Sequence, residues 1–98
     1  MGDKIMNGEK YKTARQMLCR YLAKVAKDKS ITHEQIAEKT GFTRSNVSRM
    51  LSGKYPPILD NFIKLAEACE VYFFVIDKDA DDELVNVMKK RWGSIYND

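Results

Sequence analysis

The chain has 98 residues, of which 44% are hydrophobic and 32% are charged, and its net charge is +3 at pH 7. This length fits one domain with a small core, and the proportions exclude a chain too polar to fold. The longest apolar run, residues 71–76, is too short to cross a bilayer, and the first residues contain no apolar signal stretch. We therefore expect a cytoplasmic protein.

The charge is unevenly distributed along the chain. Residues 1–57 contain 12 Lys and Arg against 5 Asp and Glu, a net charge of +7, whereas residues 58–98 contain 5 against 9, a net charge of −4. A basic front and an acidic back are typical of a protein that approaches a polyanion with one end. A solvated basic surface without a partner explains the charge alone equally well.

Few residues suit metal binding or catalysis. Cys19 and Cys69 fall within apolar helical patterns and there is a single histidine, so we expect two buried thiols rather than a disulfide or a zinc site. The acidic run 79–83 lacks the spacing and the glycine of a calcium loop. No pairing of nucleophile and base appears. We therefore expect no cofactor, no metal and no enzymatic activity.

The first elements in chain order are a flexible N-terminus over residues 1–8 and an amphipathic helix over 9–28. The apolar residues of this helix recur in steps of three and four. They are Tyr11, Ala14, Leu18, Tyr21, Leu22 and Val25.

Two short helices follow, predicted over 33–39 and 44–52. Thr32 and Gln35 form a Thr-x-x-Gln capping box at the start of the first, and Gly41 supplies the left-handed residue that ends it. Thr43 caps the second, which ends at Ser52-Gly53. The second helix has only Val47, Met50 and Leu51 as apolar residues, so we expect its other face to be exposed.

Tyr55-Pro56-Pro57 interrupts the helical pattern, and a further helix is predicted over 59–69. Its predicted buried residues are Leu59, Phe62, Ile63 or Ala66, and Cys69. The segment 71–76, "VYFFVI", is rich in β-branched and aromatic residues, which predicts a strand. Both of its faces are apolar and the chain offers no second strand, so we expect it to pair with a second copy.

A last helix is predicted over 80–92, capped by Asp79 or Asp81 and ended by Gly93. Acidic residues occupy its first turn and basic residues its last, as the helix dipole favours. Its apolar stripe consists of Leu84, Val85, Met88 and Trp92.

The two short helices joined by a tight turn make a helix-turn-helix. Residues 31–71 resemble the Cro/C1-type (lambda-repressor-like, XRE) helix-turn-helix family, with Ala37 at the helix crossing, Gly41 in the turn and "SGKYPP" after the second helix. Ile36, Val47 and Met50 match the buried positions of the family. The resemblance implies an all-α DNA-binding domain over 9–70 that contains most of the five-helix module of the family. Residues 71–98, with one strand and a terminal helix, lie outside the core resemblance, and we expect them to form a dimerisation extension.

The resemblance also implies roles for individual residues. Arg44, Ser45, Ser48 and Arg49 correspond to base-edge contacts. His33, Thr43, Asn46, Lys54 and Tyr55 correspond to contacts with the DNA backbone, which the N–H of Gly53 would assist. The expected dimer interface consists of Tyr72, Phe73, Phe74, Val75 and Trp92. Ile58, Cys69 and Glu70 depart from the family pattern at the ends of the fourth helix.

These observations predict a sequence-specific transcriptional regulator, a repressor, that binds double-stranded DNA as a homodimer. One alternative is an antitoxin that represses its own operon and binds a toxin protein through residues 71–98. Another is a protein-interaction module that keeps the fold without binding DNA. An acidic or hydrophobic face at positions 44, 45, 48 and 49 would favour that second alternative, but this face is basic and polar.

Overall fold

The computed structural model describes residues 8–79 and 82–96, and it describes side chains as far as Arg91. Within these residues there are five helices and no β-strand: α1 (Gly8–Asp28), α2 (His33–Thr40), α3 (Arg44–Leu51), α4 (Leu59–Ala68) and α5 (Asp82–Tyr96). The described residues form two compact units, one of residues 15–73 and a smaller one of the residues before 15 and after 73. None of the described helices is long and apolar enough to cross a membrane.

The predicted bounds of the first four helices are confirmed to within one residue. The last helix differs, because α5 continues through Gly93 to Tyr96. The prediction that Gly93 ends it is wrong, since a glycine inside a helix costs only about 1 kcal/mol and does not by itself stop one. Asp81, one of the two proposed caps, lies outside the described residues.

The capping residues act as the sequence predicts. At the start of α2 the Gln35 N–H donates to Thr32 Oγ1 (3.1 Å), and the Thr32 N–H donates to Gln35 Oε1 (2.9 Å). The Asn46 N–H donates to Thr43 Oγ1 (3.1 Å) at the start of α3. Gly41 ends α2 in the left-handed conformation, with φ 82°. These bonds satisfy N–H groups that the first turn of a helix leaves without partners.

Helices α1 and α4 both end in a Schellman motif built around a residue other than glycine. After α1, the Ile31 N–H donates to Ala26 O (2.8 Å) and Ser30 has φ 59°. After α4, the Val71 N–H donates to Ala66 O (2.8 Å) and Glu70 has φ 63°. The left-handed position is normally taken by glycine, so both turns hold a strained residue.

The core of the larger unit is built from α1 to α4, and α2 packs against both α3 and α4. The buried residues are Cys19, Leu22, Ala26, Ile36, Val47, Leu51, Phe62, Leu65, Ala66, Ala68 and Cys69. Both cysteines are free thiols, as predicted. Burial raises the pKa of the Cys69 thiol to about 11 and also raises the pKa of Cys19.

The helix faces differ from the predicted ones in places. Cys19, Leu22 and Ala26 are the buried residues of α1, so its buried face is turned by about one residue from the predicted stripe, and Tyr11 is exposed. On α4, the exposure of Leu59 contradicts its predicted burial, and of the two alternatives Ile63 and Ala66 it is Ala66 that is buried. Leu65, which was not predicted, also lies in the core.

Residues 71–76 do not form the predicted strand. The backbone of Val71 completes the end of α4, and the ring of Phe73 packs edge-on against Phe62, with 5.4 Å between ring centroids. A strand exists only when its backbone is paired in a ladder, and no described segment of this chain pairs with it. A β-favouring composition therefore does not suffice here, and Tyr72 and Val75 remain 94% and 89% exposed.

Candidate nucleic-acid interface

The turn between α2 and α3 fixes the position of the exposed helix. Residues 41–43 connect the two helices, and the Thr40 hydroxyl closes the turn from inside. Its Oγ1 donates to Ile36 O (2.8 Å) and accepts the Phe42 N–H (3.2 Å). Ala37 is partly buried against the core, where a small residue lets the helices approach. The orientation of α3 is therefore set by its neighbours.

Helix α3 has one buried face and one exposed face. Val47 and Leu51 are 0% and 3% exposed, and Met50 packs partly buried against the same core. The predicted base-contact residues lie on the other side, and all four are exposed: Arg44, Ser45, Ser48 and Arg49. Thr43 and Asn46 are exposed beside them at the helix start. The predicted division of this helix into an anchoring face and a polar face is present.

The chain segment that contains α3 carries positively charged residues and no negatively charged ones. Between Glu38 and Asp60 there are four Lys and Arg residues and no Asp or Glu. They are Lys39, Arg44, Arg49 and Lys54, and all four are exposed. This segment contains both the turn and the helix, so an anion that approaches α3 meets no acidic residue of the segment itself.

The two arginines of α3 have different surroundings. The guanidinium carbon of Arg49 lies 5.4 Å from the centroid of the Tyr55 ring, within cation–π distance. Among the described residues, Arg44 has neither a ring nor a carboxylate partner. In the described part of the chain, no ring or carboxylate fixes the Arg44 side chain, whereas the Tyr55 ring contacts the Arg49 guanidinium.

The turn after α3 is closed by the hydroxyl of Ser52. Ser52 Oγ donates to Arg49 O (2.7 Å) and accepts the Lys54 N–H (3.2 Å). Gly53 is buried with φ 80°, and its N–H donates to Met50 O (3.3 Å). The Gly53 N–H is thus paired inside the turn, and its assistance at a phosphate stays a prediction.

Arg20 is a residue of this surface that the sequence did not single out. A Cβ at Gly53 would lie 3.5 Å from Arg20 Nε and 3.5 Å from Gln16 Cα, so α1 passes directly beside the turn. Arg20 itself is exposed. The sequence gives a weak signal for this approach, because the glycine of "SGKYPP" suggests close contact without saying with which helix.

The start of α2 offers backbone donors next to His33, which is partly exposed. Among the described residues, the N–H groups of His33 and Glu34 have no acceptor, since the capping box uses those of Thr32 and Gln35. Unpaired N–H groups at a helix N-terminus favour an anion.

Most of the residues predicted to form the dimer interface lie shortly after the end of α4. Four of them are exposed: Tyr72, Phe73, Phe74 and Val75. Phe73 is the least exposed of the four, with 40% of its surface exposed. The side chain of Trp92 lies outside the described residues. These large apolar side chains have much of their surface in water, which makes the segment a candidate contact surface.

A second helix with an exposed, basic face, joined by a tight turn to a first helix that packs on the core through Ile36, defines a helix-turn-helix domain of the DNA-binding class. Residues 22–76 match the model of the helix-turn-helix family of Cro/C1 (XRE) type, and the chain belongs to this family. Family membership supports a DNA-binding transcription regulator. No curated protein and no solved structure matches the chain at a significant level.

Proposed function

We propose that this protein is a sequence-specific transcriptional regulator that reads the major groove of DNA with α3. The observation that carries the proposal is the exposed face of α3, where two arginines and two serines stand on a helix anchored by Val47 and Leu51. The major groove admits one α-helix, and a helix that enters it needs a polar face free of other protein. A binding protein of this kind needs no catalytic residue.

The base contacts are assigned to Arg44, Ser45, Ser48 and Arg49. The guanidinium group of arginine matches O6 and N7 of guanine together, so each arginine favours a guanine. The serine hydroxyls donate or accept, and they suit several base edges. We therefore expect at least one G·C pair in each half of the binding site.

The backbone contacts surround this face. His33 and the free N–H groups at the start of α2 suit one phosphate, while Thr43 and Asn46 lie at the entry of α3. Lys54 lies beyond its end, and Arg20 lies beside the same turn from α1. Such contacts position a protein on DNA without reading the sequence.

The proposed assembly is a homodimer. Tyr72, Phe74 and Val75 are 94%, 54% and 89% exposed, and covering such side chains stabilises an association. A two-fold dimer that places two copies of α3 about 34 Å apart would read half-sites roughly 10 bp apart. Occupying an operator in this way suits a repressor that acts in the cytoplasm.

The same exposed side chains would suit a toxin as partner, which is the alternative function of an antitoxin that represses its own operon. Expression of the chain alone and together with its genomic neighbours separates the two. A stable dimer of the chain alone favours the regulator. A partner protein that co-purifies, and is lost when residues 71–98 are removed, favours the antitoxin.

Selection of bound duplexes from random DNA tests the proposed function. The wild-type chain should enrich one two-fold symmetric sequence. Arg44→Ala and Arg49→Ala should each weaken binding to it by about 1–3 kcal/mol and relax the preference at one base pair of each half-site. Lys24→Ala is the matched control, because it removes a positive charge on α1 that pairs with Asp28. Absence of any enriched sequence would reject the proposal.

A further inference from the structure

Tyr55 corresponds to a residue that contacts phosphate in related proteins, but its ring lies against Arg49. The structure assigns Tyr55 a different role: we propose that it is a positioning residue, whose ring holds the Arg49 guanidinium in the orientation that reads a base. The inference rests on the proposed function and adds to it which residue sets the precision of one base contact.

The local backbone is built to bring these two side chains together. Arg49 is in the last turn of α3, and the Ser52 hydroxyl joins the Arg49 carbonyl to the Lys54 N–H through bonds of 2.7 and 3.2 Å. Gly53 reverses the chain with φ 80°. The turn thus returns the chain toward the helix end, so that Tyr55 comes back to Arg49.

The residue after Tyr55 restricts it further. Pro56 disfavours a helical backbone at Tyr55, so the chain does not return to a helix at this residue. Gly53 is buried, and a Cβ placed on it would lie 3.5 Å from Gln16 Cα in the backbone of α1. Helix α1 therefore lies directly against the turn. The ring is therefore presented from a fixed base.

A fixed guanidinium matters for recognition. An arginine reaches guanine with two parallel N–H groups, and both bonds form only when the planar group is correctly oriented. A free side chain loses rotamer freedom when it binds, whereas one already stacked on a ring loses less. Tyr55 is itself 55% exposed, so its side chain contributes little to the core and its ring is available to contact Arg49.

Arg44 serves as an internal comparison. It lies on the same helix face and, among the described residues, it has no aromatic partner. A change at Tyr55 should therefore alter the reading of one base pair and leave the other unchanged. A phosphate contact by the Tyr55 hydroxyl would instead change binding to all sequences together.

The test compares Tyr55→Leu, which removes the ring, with Tyr55→Phe, which removes only the hydroxyl. Affinities of the full chain are measured for the duplex that the wild-type protein selects, for duplexes altered at the Arg49 or the Arg44 base pair, and for an unrelated duplex. We expect Tyr55→Phe to match wild type. We expect Tyr55→Leu to reduce discrimination at the Arg49 pair by about 2- to 5-fold, with no effect at the Arg44 pair.

A double-mutant cycle completes the test, because Tyr55→Leu should add no loss of discrimination when Arg49→Ala is already present. In the free protein, the Arg49 side-chain protons should show the upfield ring-current shift in wild type and Tyr55→Phe and lose it in Tyr55→Leu. This second readout needs no DNA.

Three results would overturn the inference. Tyr55→Phe could weaken binding to all duplexes alike, Tyr55→Leu could leave discrimination unchanged, or its effect could persist in the Arg49→Ala background. In each of these cases the wild-type preference and its loss in Arg49→Ala still support the proposed function. A wild-type chain without sequence preference would reject both.

Discussion

Positive side chains around α3 divide by what they can reach. Arg44 and Arg49 stand on the exposed face of the helix, whereas Lys54 and Arg20 lie at its far end, on the turn and on α1. The flexible ammonium group of Lys54 acts as a point charge that suits a phosphate. The guanidinium group of Arg20, beside the turn after α3, can also bind a phosphate. The same formal charge thus has two roles, depending on its position.

Lys54→Ala and Arg20→Ala should weaken binding to every duplex by the same factor. Each change removes one proposed phosphate contact, so the slope of log affinity against log salt should fall in magnitude by about one. Titrations at several salt concentrations, on the selected duplex and on an unrelated one, measure both quantities. Lys24→Ala should leave the slope nearly unchanged. An Arg20→Ala effect confined to the selected duplex would move this residue to base reading.

Cys69 links stability to alkaline pH. Burial raises its pKa to about 11 from an ordinary value of 9.0, so the folded chain holds the proton more tightly than the unfolded chain. The stabilisation is complete below about pH 9 and is lost as the pH rises through the folded pKa. Urea unfolding between pH 8 and about pH 11 should show a steeper loss of stability for the wild-type chain than for Cys69→Ala. Parallel curves would contradict this assignment.

Some contacts at the residue scale could not be predicted from the sequence. The exposed face of α3 followed from its short apolar stripe, and both cysteines from their helical spacing. The cation–π contact between Arg49 and the Tyr55 ring, by contrast, depends on how far the turn at Gly53 bends. The approach of Arg20 depends on the packing angle of α1. A local sequence pattern determines neither the bend of this turn nor the packing angle of α1.

At the scale of elements, helix ends are well predicted wherever a side chain makes the capping bond. Thr32, Gln35 and Thr43 all bond as the sequence indicates, because these bonds join residues only three apart. Buried faces are predicted less well, as Tyr11 and Leu59 show. Which side of a helix is covered depends on its neighbours, and α4 has apolar residues on more than one side.

Ser30→Gly should stabilise the fold by about 1 kcal/mol, because glycine adopts a positive φ without the steric cost that Ser30 bears at φ 59°. Glu70→Gly should stabilise less, since the change also removes the ion pair between Glu70 and Lys29 at 3.2 Å. Urea unfolding of both variants measures the difference. The matched Ser30→Ala and Glu70→Ala variants should give no gain, and a gain equal to that of glycine would rule out backbone strain as the cause.

The absent strand marks where local preference stops being informative. The composition of residues 71–76 favours an extended backbone, but the hydrogen bonds of a ladder come from another segment. The predicted strand over residues 71–76 is therefore not present in the described chain, whose side chains Tyr72, Phe74 and Val75 are exposed instead.

For the whole molecule, the explanation we propose for this exposure is a second copy. In the proposed homodimer, Phe74→Glu and Tyr72→Glu should give monomers, because each places a charge where an apolar contact is proposed. Light scattering at low protein concentration measures the mass. Leu59→Glu is the matched control, an exposed apolar residue at 61% on α4. A Phe74→Glu variant that stays dimeric would exclude this segment as the interface, and a monomeric Leu59→Glu variant would place it on α4.

The charge of the molecule agrees with the same arrangement. The positive segment between Glu38 and Asp60 contains α3, while the acidic residues are concentrated after Pro57. DNA would be attracted to the segment that contains α3. The positive charge of this segment could be read from the sequence alone, because counting charges needs no packing detail.

The most direct test of the central claim, that α3 enters the major groove, is methylation interference on the selected duplex. Dimethyl sulfate modifies guanine at N7 in the major groove and adenine at N3 in the minor groove. We predict that methylated guanines in both half-sites block binding, that methylated adenines within the same half-sites do not, and that Arg49→Ala loses the interference at one guanine per half-site. Interference confined to minor-groove adenines, or an Arg49→Ala pattern identical to wild type, would contradict the reading of DNA by α3.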